Sequence, residues 1–332
     1  MRYFLGVDVG SSKTHALLAD ENGQAVGFGK AGAGNWQVVG YAGLADALQQ
    51  SASQACQMAG IMTDQIAGAG FGVAGYDFPA TDRQSHLETL ATLGLLCPVD
   101  VVNDGINGLL AGTRNGIGVS LAAGSGVNCC GRGPNCEEGR IVGNSTPFGE
   151  FGGASEIVWK GLHQVNYAWI KRIPPTALTQ IYLDSVDAKD ELDLMEGLSN
   201  ERYHLAPFLA VKIFEAAQLG DHAALDVVQW AAEELAWLAI SVARQIGMQN
   251  DAVEIVLSGS IFNAGEMLIK PMKKTIMAHI SKAEFTHLNA PPVVGATLLG
   301  MEVGGFDGYV VRDELIRTTQ ELTLSTMLGF NL

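Results

Sequence analysis

The amino-acid sequence predicts an α/β protein with two lobes and a ligand-binding cleft between them. The chain has 332 residues, a length sufficient for about two domains that each bury a core. A unit of apolar strand, Gly/Ser turn and apolar strand occurs near residue 10 and again near residue 124. The 41 glycines cluster where apolar runs end, as in tight turns that approach a ligand closely. Ligands of such sheets bind beyond the carboxyl ends of the strands, and there we expect the cleft.

The first lobe is expected over residues 1–113. Its hydrophobic pattern begins with short apolar runs separated by glycine turns and then changes to helical spacing. The predicted order is strand 3–9, strand 15–19, strand 25–28, helix 44–59, strand 66–74, helix 82–95, strand 99–102 and helix 106–111. A hinge is expected near residues 112–118.

The second lobe is expected over residues 114–308, where the opening pattern recurs and is followed by mostly helical sequence. Its predicted elements are strands 118–123 and 127–130, helices 154–169, 207–219 and 221–246, strand 253–257, helix 266–279 and a final helix that begins near 293. The segment 309–332 has helical character, and it either packs on the first lobe or builds a dimer. We expect a homodimer.

Composition and charge exclude several classes of partner. The net charge of −15 repels nucleic acid and anionic lipid, so we expect neither nucleic acid nor a membrane as a partner. No apolar run is long enough to span a membrane, and the N-terminus lacks a signal-peptide core. The odd number of cysteines indicates reduced thiols and a cytoplasmic location. Cys129, Cys130 and Cys136 lack the paired spacing of a zinc site.

The first Gly/Ser turn has the chemistry of a phosphate-binding turn. Small residues between two strands let backbone N–H groups approach phosphate oxygens, and hydroxyl groups add donors. The candidate ATP-binding residues here are Gly10, Ser11, Ser12, Lys13 and Thr14. Asp8, at the end of the first strand, is a candidate for holding hydrated Mg²⁺ beside those phosphates. The alternative is an ordinary hairpin turn in which Asp8 makes a structural hydrogen bond.

Two further turns have similar chemistry. Gly124, Ser125 and Gly126 form a second candidate phosphate turn, which matches neither a Walker A loop nor a dinucleotide fingerprint. Gly259 and Ser260 follow a predicted strand and are candidates for contact with the adenosine end of a nucleotide. The alternative for the last pair is a simple strand–helix connection.

Asp104 follows the predicted strand 99–102 and is the candidate catalytic residue. A carboxylate at this position is able to accept the proton of an acceptor hydroxyl as that hydroxyl attacks the γ-phosphate of ATP. The alternative is a structural role as a helix N-cap, since aspartate is among the favoured capping residues. The local sequence leaves both interpretations open.

The order and spacing of these elements resemble the BadF/BadG/BcrA/BcrD ATPase family and, within it, the N-acetylglucosamine kinases. The resemblance covers about residues 3–304. It implies two actin-like (ribonuclease H-like) lobes with an ATP cleft between them, and ATP and Mg²⁺ as cofactors. It also implies that Asp104 is the catalytic base, that Gly295 in a late P-x-x-GA segment lies near adenosine, and that Asn35 contacts the sugar. Trp36 and Asn128 are further candidate contacts to the acceptor.

The stretch 143–153 departs from the pattern of the amino-sugar kinases. Those kinases carry a GGWG segment followed by GDEGS, whereas Gly143-Asn144 stands here in place of the Gly-Trp pair. Glu150 replaces the sugar-contacting Asp, and Phe151 replaces the following Glu. We therefore take Gly143, Asn144 and Glu150 as candidate acceptor contacts in an altered pocket.

The resemblance implies a sugar kinase that transfers the γ-phosphoryl group of ATP to a hexose or amino sugar, with N-acetylglucosamine, giving its 6-phosphate, as the best single acceptor. One alternative is a BadF-type ATPase that activates a partner through an Fe–S cluster held by cysteines. Another is a nucleotide-binding regulator without a sugar substrate.

Overall fold

The structure is a computed structural model that describes residues 1–143 and 146–328. The β-strands are β1 (Tyr3–Val9), β2 (Thr14–Asp20), β3 (Ala25–Ala31), β4 (Ile66–Val73), β5 (Val99–Asn103), β6 (Gly118–Ala123), β7 (Val127–Arg132), β8 (Glu138–Arg140), β9 (Val253–Ser258) and β10 (Ala283–His287). The α-helices are α1 (Trp36–Ala59), α2 (Pro79–Ala91), α3 (Asp104–Gly112), α4 (Ala154–Trp169), α5 (Leu178–Val186), α6 (Glu191–Ser199), α7 (Leu209–Gln218), α8 (His222–Gln245), α9 (Glu266–His279), α10 (Pro292–Val303) and α11 (Arg312–Leu328).

The strands form two five-stranded sheets with the same internal order. The first sheet has the order β3-β2-β1-β4-β5, and the second, read from the matching edge, has the order β8-β7-β6-β9-β10. In the first sheet, β1 is antiparallel to β2 and parallel to β4. The central strand is thus β1 in the first sheet and β6 in the second. The strand that follows each of them in the chain, β2 or β7, lies beside it. The predicted α/β class and the repeated strand–turn–strand organisation are confirmed.

Contacts divide the chain into two compact units. Unit 1 comprises Met1–Ser120, Cys130–Glu137 and Phe285–Leu332, and unit 2 comprises Leu121–Cys129 and Glu138–Glu284. Residues 285–308, which the sequence placed in the second lobe, fall in unit 1 because α10 packs on β1 and β4. The functional lobes expected at 1–113, 114–308 and 309–332 stay a prediction, since the units are defined by contacts alone.

Both faces of the first sheet are covered. Val7 of β1 belongs to an apolar core with Leu48 of α1, whereas Phe4 of the same strand belongs to a second core with Met301 of α10. Side chains alternate between the two faces of a strand, so a strand covered on both sides is apolar at successive positions. Gly6 permits the close approach of α10, because a Cβ added there would lie 2.2 Å from a backbone nitrogen of that helix.

The C-terminal helix α11 packs on the turn between β2 and β3 in unit 1. The hydroxyl of Thr318 accepts a hydrogen bond from the backbone N–H of Ala25 at 3.0 Å and lies 2.8 Å from the carbonyl oxygen of Gly23. Leu315 is fully buried in the same contact. These contacts agree with the first of the two roles considered for residues 309–332, and the homodimer stays a prediction.

Unit 2 is organised around helix α8, which packs against α4, α7 and α9. The side chain of Asp221 caps this helix by accepting a hydrogen bond from the N–H of Ala224 at 2.9 Å. The predicted apolar stripe is buried, as expected for a helix in a core. Its members are Val228, Ala231, Leu235, Leu238 and Val242. Within the described residues, no helix is long and apolar enough to cross a membrane.

Candidate functional site

Asp104 is the first residue of helix α3, and the helix is capped by its neighbour. Asn103 has extended backbone, and its Oδ1 accepts a hydrogen bond from the N–H of Gly105 at 3.0 Å. The capping role considered for Asp104 is therefore filled by Asn103. Burial, followed by the negative charges of Asp8 and Asp77, raises the pKa of Asp104 to about 7. A carboxyl group with this pKa is suited to accept a proton near neutral pH.

Asp77 contributes to the site, although sequence reasoning missed it. Its Oδ1 accepts a hydrogen bond from the amide of Asn103 at 3.2 Å, and its Oδ2 accepts one from the amide of Gln37 at 3.1 Å. The same Asn103 amide lies 3.2 Å from the carbonyl oxygen of Tyr76. These bonds tie the loop after β4 to the start of α3. No motif marks Asp77, because its partners are distant in sequence.

Asp8 lies near the end of β1 and is held by a residue of the same helix α3. Its Oδ1 accepts a hydrogen bond from Nδ2 of Asn107 at 2.7 Å. Burial raises the pKa of Asp8, and the Asn107 bond and the charge of Lys13 act in the opposite direction. Asn107 follows Asp104 by three residues, so both lie on the same side of α3. This helix therefore carries the candidate base, Asp104, and the hydrogen-bond partner of Asp8.

The first turn is closed by a hydrogen bond from the N–H of Gly10 to the carbonyl oxygen of Lys13 at 2.9 Å. Residues 11–13 are exposed, so their backbone and hydroxyl groups are accessible. Thr14 is fully buried, and its hydroxyl donates to the carbonyl oxygen of Gly32 at 3.0 Å. Any contribution of Thr14 to phosphate binding would thus come from its backbone.

Asn35 and Trp36 connect three segments of unit 1. Oδ1 of Asn35 caps helix α1 by accepting a hydrogen bond from the N–H of Gln37 at 3.0 Å, and Nδ2 donates to Oγ of Ser11 at 3.1 Å. The indole N–H of Trp36 donates to the carbonyl oxygen of Gly75 at 2.7 Å. The two residues therefore link the first turn, the start of α1 and the loop after β4, which is also the loop of Asp77.

The second turn rests on the N-terminus of helix α4. The N–H of Gly124 donates to the carbonyl oxygen of Gly126 at 2.9 Å, which closes the turn. The N–H groups of Ala154 and Ser155 donate to the carbonyl oxygens of Gly124 at 2.8 Å and Ser125 at 2.9 Å. A Cβ added at Gly124 or Gly126 would meet open space, so the turn offers an unobstructed backbone surface.

A pocket in unit 2 joins the second turn to the candidate adenosine segment. Gly259 has φ +99°, and a Cβ there would lie 2.2 Å from the carbonyl oxygen of Ala123, so the chain requires glycine at this position. Ser260 and Ser125 both line the pocket, which has a volume of about 430 Å³. Its further walls include Phe208, Val211, Phe214, Glu215, Ile261 and Asn263. The pocket combines an apolar surface with a few polar groups, as ligand sites do.

The model of the BadF/BadG/BcrA/BcrD ATPase family matches residues 5–300. The chain belongs to this family. The match spans both candidate phosphate turns, Asp104 and the segment around Gly259. The resemblance inferred from the motifs is thereby confirmed.

Two proteins of similar sequence are sugar kinases by name. The N-acetyl-D-glucosamine kinase of Dictyostelium discoideum is 26% identical over 310 residues, which cover 90% of this chain and 97% of that protein. The N-acetylmuramic acid/N-acetylglucosamine kinase of Clostridium acetobutylicum is 23% identical over 302 residues, with coverage of 90% and 98%.

Solved structures show the same fold. A Chromobacterium violaceum protein whose proposed activity is that of an N-acetylglucosamine kinase has a TM-score of 0.63 at 22% identity, and the comparison covers 90% of this chain and 99% of that one. The ROK hexokinase of Thermus thermophilus has a TM-score of 0.51 at 19% identity, with coverage of 91% and 99%. These similarities confirm the predicted actin-like fold.

In this member of the BadF family, Glu150 is turned toward its own loop. The side chain is buried, and its Oε1 and Oε2 accept hydrogen bonds from the N–H groups of Val142 at 2.6 Å and Gly143 at 2.7 Å. Asn144 lies outside the described residues, and Asn128 is half-buried on β7. The acceptor contacts predicted for these residues stay a prediction, and the structure adds a structural function for Glu150.

Gly295 of this family member lies at the contact between α10 and α3. The residue is buried, and a Cβ added there would lie 1.9 Å from the carbonyl oxygen of Asn107. Its local role is therefore close helix packing within unit 1. The adenosine contact predicted for Gly295 stays a prediction.

The donor set around Asp8 fits a hydrated Mg²⁺ ion. Mg²⁺ keeps several waters and binds through one or two carboxylates, and Asp8 offers a half-buried carboxylate whose second oxygen is not held by Asn107. Over residues 1–143 and 146–328, no group of three or more His, Cys, Asp and Glu side chains is placed to hold a metal directly. The binding of Mg²⁺ by Asp8 through water stays a prediction.

The cysteines of the second lobe do not form an exposed cluster. Cys129 and Cys130 are buried in β7, and Cys136 is exposed. An Fe–S cluster shared between subunits requires accessible thiolates. The buried positions therefore argue against the iron–sulfur alternative.

Proposed function

We propose that this protein is an ATP-dependent kinase that transfers the γ-phosphoryl group of ATP to a hydroxyl of a hexose or amino sugar. N-acetylglucosamine, phosphorylated at its 6-hydroxyl, is the first candidate acceptor. The observation that carries the proposal is the state of Asp104: it begins α3 without serving as its cap, and burial with two neighbouring carboxylates raises its pKa to about 7. The named sugar kinases among the relatives support the same activity.

In the proposed reaction, Asp104 accepts the proton of the acceptor hydroxyl as the oxygen forms a bond to the γ-phosphorus. The bond between that phosphorus and the oxygen bridging to the β-phosphate breaks, and ADP leaves. A carboxyl group whose pKa is raised to about 7 is matched to accepting and releasing a proton near neutral pH. Mg²⁺ held through water by Asp8 would neutralise phosphate charge when bound.

The remaining candidate residues are proposed to bind and orient the two substrates. Backbone N–H groups of the turns at 10–14 and 124–126 hold phosphates, and the pocket lined by Ser125 and Ser260 takes the adenosine. The apolar side chains of Phe208 and Phe214 suit the faces of a nucleobase. Asn35 and Trp36 contact the acceptor in unit 1, and the indole N–H of Trp36 is hydrogen-bonded to Gly75 in the loop that carries Asp77.

The test is ADP release from Mg-ATP by the purified protein over a panel of hexoses, N-acetylhexosamines and free amino sugars. We expect one sugar to stimulate ADP release by the wild type and not by Asp104→Asn, while ATP binding persists in that variant. Asp46→Asn, which removes an exposed carboxylate of α1, is the matched control and should behave as the wild type. Stimulation that survives Asp104→Asn would remove this residue from the role of base.

A second candidate function is an ATPase or nucleotide-binding regulator without a sugar substrate. The altered stretch 143–153 favours it, because both oxygens of Glu150 are engaged by the backbone of Val142 and Gly143. ATP binding without stimulation by any sugar of the panel would favour this alternative over the kinase.

The proposal also includes a cytoplasmic location and a homodimer. All five cysteines are free thiols in the structure, which agrees with a reducing compartment. Sedimentation equilibrium of the purified protein would test the dimer.

A further inference from the structure

Asn107 of helix α3 is a buried polar residue with one satisfied and one unsatisfied group. The side chain has no exposed surface, and its Nδ2 donates to Oδ1 of Asp8 at 2.7 Å. Its Oδ1 has no hydrogen-bond partner among the residues that the structure describes. Most buried polar groups in folded proteins are paired, so an unpaired acceptor at this position calls for a functional reason.

Two glycines make room for this residue, one beside its side chain and one beside its backbone. A Cβ added at Gly72 of β4 would lie 2.0 Å from Nδ2 of Asn107, and one added at Gly295 of α10 would lie 1.9 Å from its backbone oxygen. The residue is therefore enclosed between a strand and a helix that approach it closely. Its amide has little freedom to rotate away from Asp8.

We propose that Asn107 is a positioning residue for Asp8. By holding Oδ1, it would fix the rotation of the carboxylate and leave Oδ2 as the oxygen that accepts a hydrogen bond from a metal-bound water. The inference rests on the proposed function, in which Asp8 holds Mg²⁺ through water. Outer partners of this kind orient metal-linked groups, and their removal weakens metal binding or activity about 10–100-fold.

The position of Asn107 on α3 couples the two carboxylates of the site. Asp104 and Asn107 are three residues apart, so they lie on the same side of the helix. A single rigid element thus determines where the proposed base lies and how Asp8 is turned. Loss of the Asn107 bond would loosen Asp8 and leave the start of α3, capped by Asn103, unchanged.

A structural role and a positioning role predict different effects of Asn107→Leu. Leucine branches at the same carbon, removes the unpaired Oδ1 and donates nothing to Asp8. If Asn107 served only the fold, its replacement would lower stability and would affect nucleotide binding equally with and without Mg²⁺. If Asn107 positions Asp8, the variant would lose only the part of the nucleotide affinity that Mg²⁺ adds.

The experiment measures ADP binding by calorimetry in Mg²⁺ and in EDTA for the wild type, Asn107→Leu, Asp8→Asn and the double variant. We expect Asn107→Leu to lose about 10-fold or more of the Mg²⁺-dependent gain in affinity, with metal-free affinity unchanged. The effects of Asn107→Leu and Asp8→Asn on the Mg²⁺-dependent gain should not add in the double variant, because both act through the Asp8 carboxylate. Thr319→Val, which removes a buried hydroxyl from α11, is the control and should retain the full gain.

The inference is overturned if Asn107→Leu keeps the Mg²⁺-dependent gain, weakens binding equally in EDTA, or adds fully to Asp8→Asn. It is also overturned if Mg²⁺ does not affect ADP binding by the wild type, because Asp8 then has no metal role. Should Asn107→Leu fail to fold by circular dichroism, Asn107→Ala tests the same point, since it removes the donor without adding a charge beside Asp8. No sugar enters this assay, so a failed acceptor panel leaves its outcome interpretable.

Discussion

Asn103 and Asp104 are adjacent in sequence, yet they take different roles where strand β5 becomes helix α3. The amide oxygen of Asn103 caps the helix by accepting a hydrogen bond from the N–H of Gly105 at 3.0 Å. Asn103, and not Asp104, is therefore the N-cap residue of the helix. Burial and then the charges of Asp8 and Asp77 raise the pKa of Asp104 to about 7, against the lowering effect of hydrogen bonds from the backbone of Gly105 and of Asp104 itself. This division of roles is the basis of the following predictions for Asp104.

Asp104→Asn is expected to stabilise the fold more at high pH than at low pH. The folded state retains the Asp104 proton up to about pH 7, whereas the unfolded chain releases it near the ordinary aspartate pKa of 3.8. The folded state thus binds more protons in between, and wild-type stability falls as pH rises through that window. The gain in the free energy of unfolding should be about 1–2 kcal/mol larger at pH 8.5 than at pH 5.5. Urea denaturation at the two pH values measures this gain, with Asp46→Asn as the control. Equal gains at both pH values would contradict the prediction.

Asp77→Asn is expected to shift the pH dependence of turnover to lower pH. The rate should rise with pH as Asp104 ionises near pH 7, because the base acts in its ionised form. The negative charge of Asp77 contributes to raising that pKa, so a neutral amide lowers it. The pH profile of kcat/KM measures the shift with the sugar that the panel identifies. An inflection at unchanged or higher pH would show that Asp77 does not act on Asp104.

Gly124→Ala is expected to weaken ATP binding without destabilising the protein. The added methyl group meets open space, and both hydrogen bonds of the Gly124 backbone remain possible. If the turn holds phosphates, the methyl group would stand where they approach, and we expect a loss of about 10-fold in affinity, or roughly 1.4 kcal/mol. Calorimetry with ATP and thermal unfolding measure both quantities. Gly32→Ala, equally open but in unit 1 outside the turns, is the control; unchanged ATP affinity of Gly124→Ala would argue against the phosphate role.

Phe208→Ala is expected to weaken the binding of ATP and to leave folding stability unchanged. The ring is 73% exposed at the edge of the unit 2 pocket, so its removal creates no buried cavity. Loss of stacking on a nucleobase should cost about 1–3 kcal/mol of binding free energy. Leu219→Ala removes a 90% exposed side chain from outside the pocket and serves as the control. Equal ATP affinities of both variants would place the base elsewhere.

Local patterns were sufficient to predict most of the fold. The strand–turn–strand units at residues 3–19 and 118–130 follow from short apolar runs broken by glycine, and helix α8 follows from its 3.6-residue apolar period. Helices α5 and α6 and the short strands β8 and β10 were not predicted. Their segments are short, and packing rather than intrinsic periodicity stabilises them.

The sequence by itself determined the α/β class, because hydrophobic periodicity along the chain encodes the order of strands and helices. It also determined the two Gly/Ser turns and Asp104 as candidates, because each is encoded in a few adjacent residues. Only the tertiary structure decided which of Asn103 and Asp104 caps the helix, since that depends on the backbone where β5 ends. It also brought Asn107 to Asp8 across 99 residues of chain. Such contacts leave no local pattern, because they are created when distant elements pack and their polar groups must find partners.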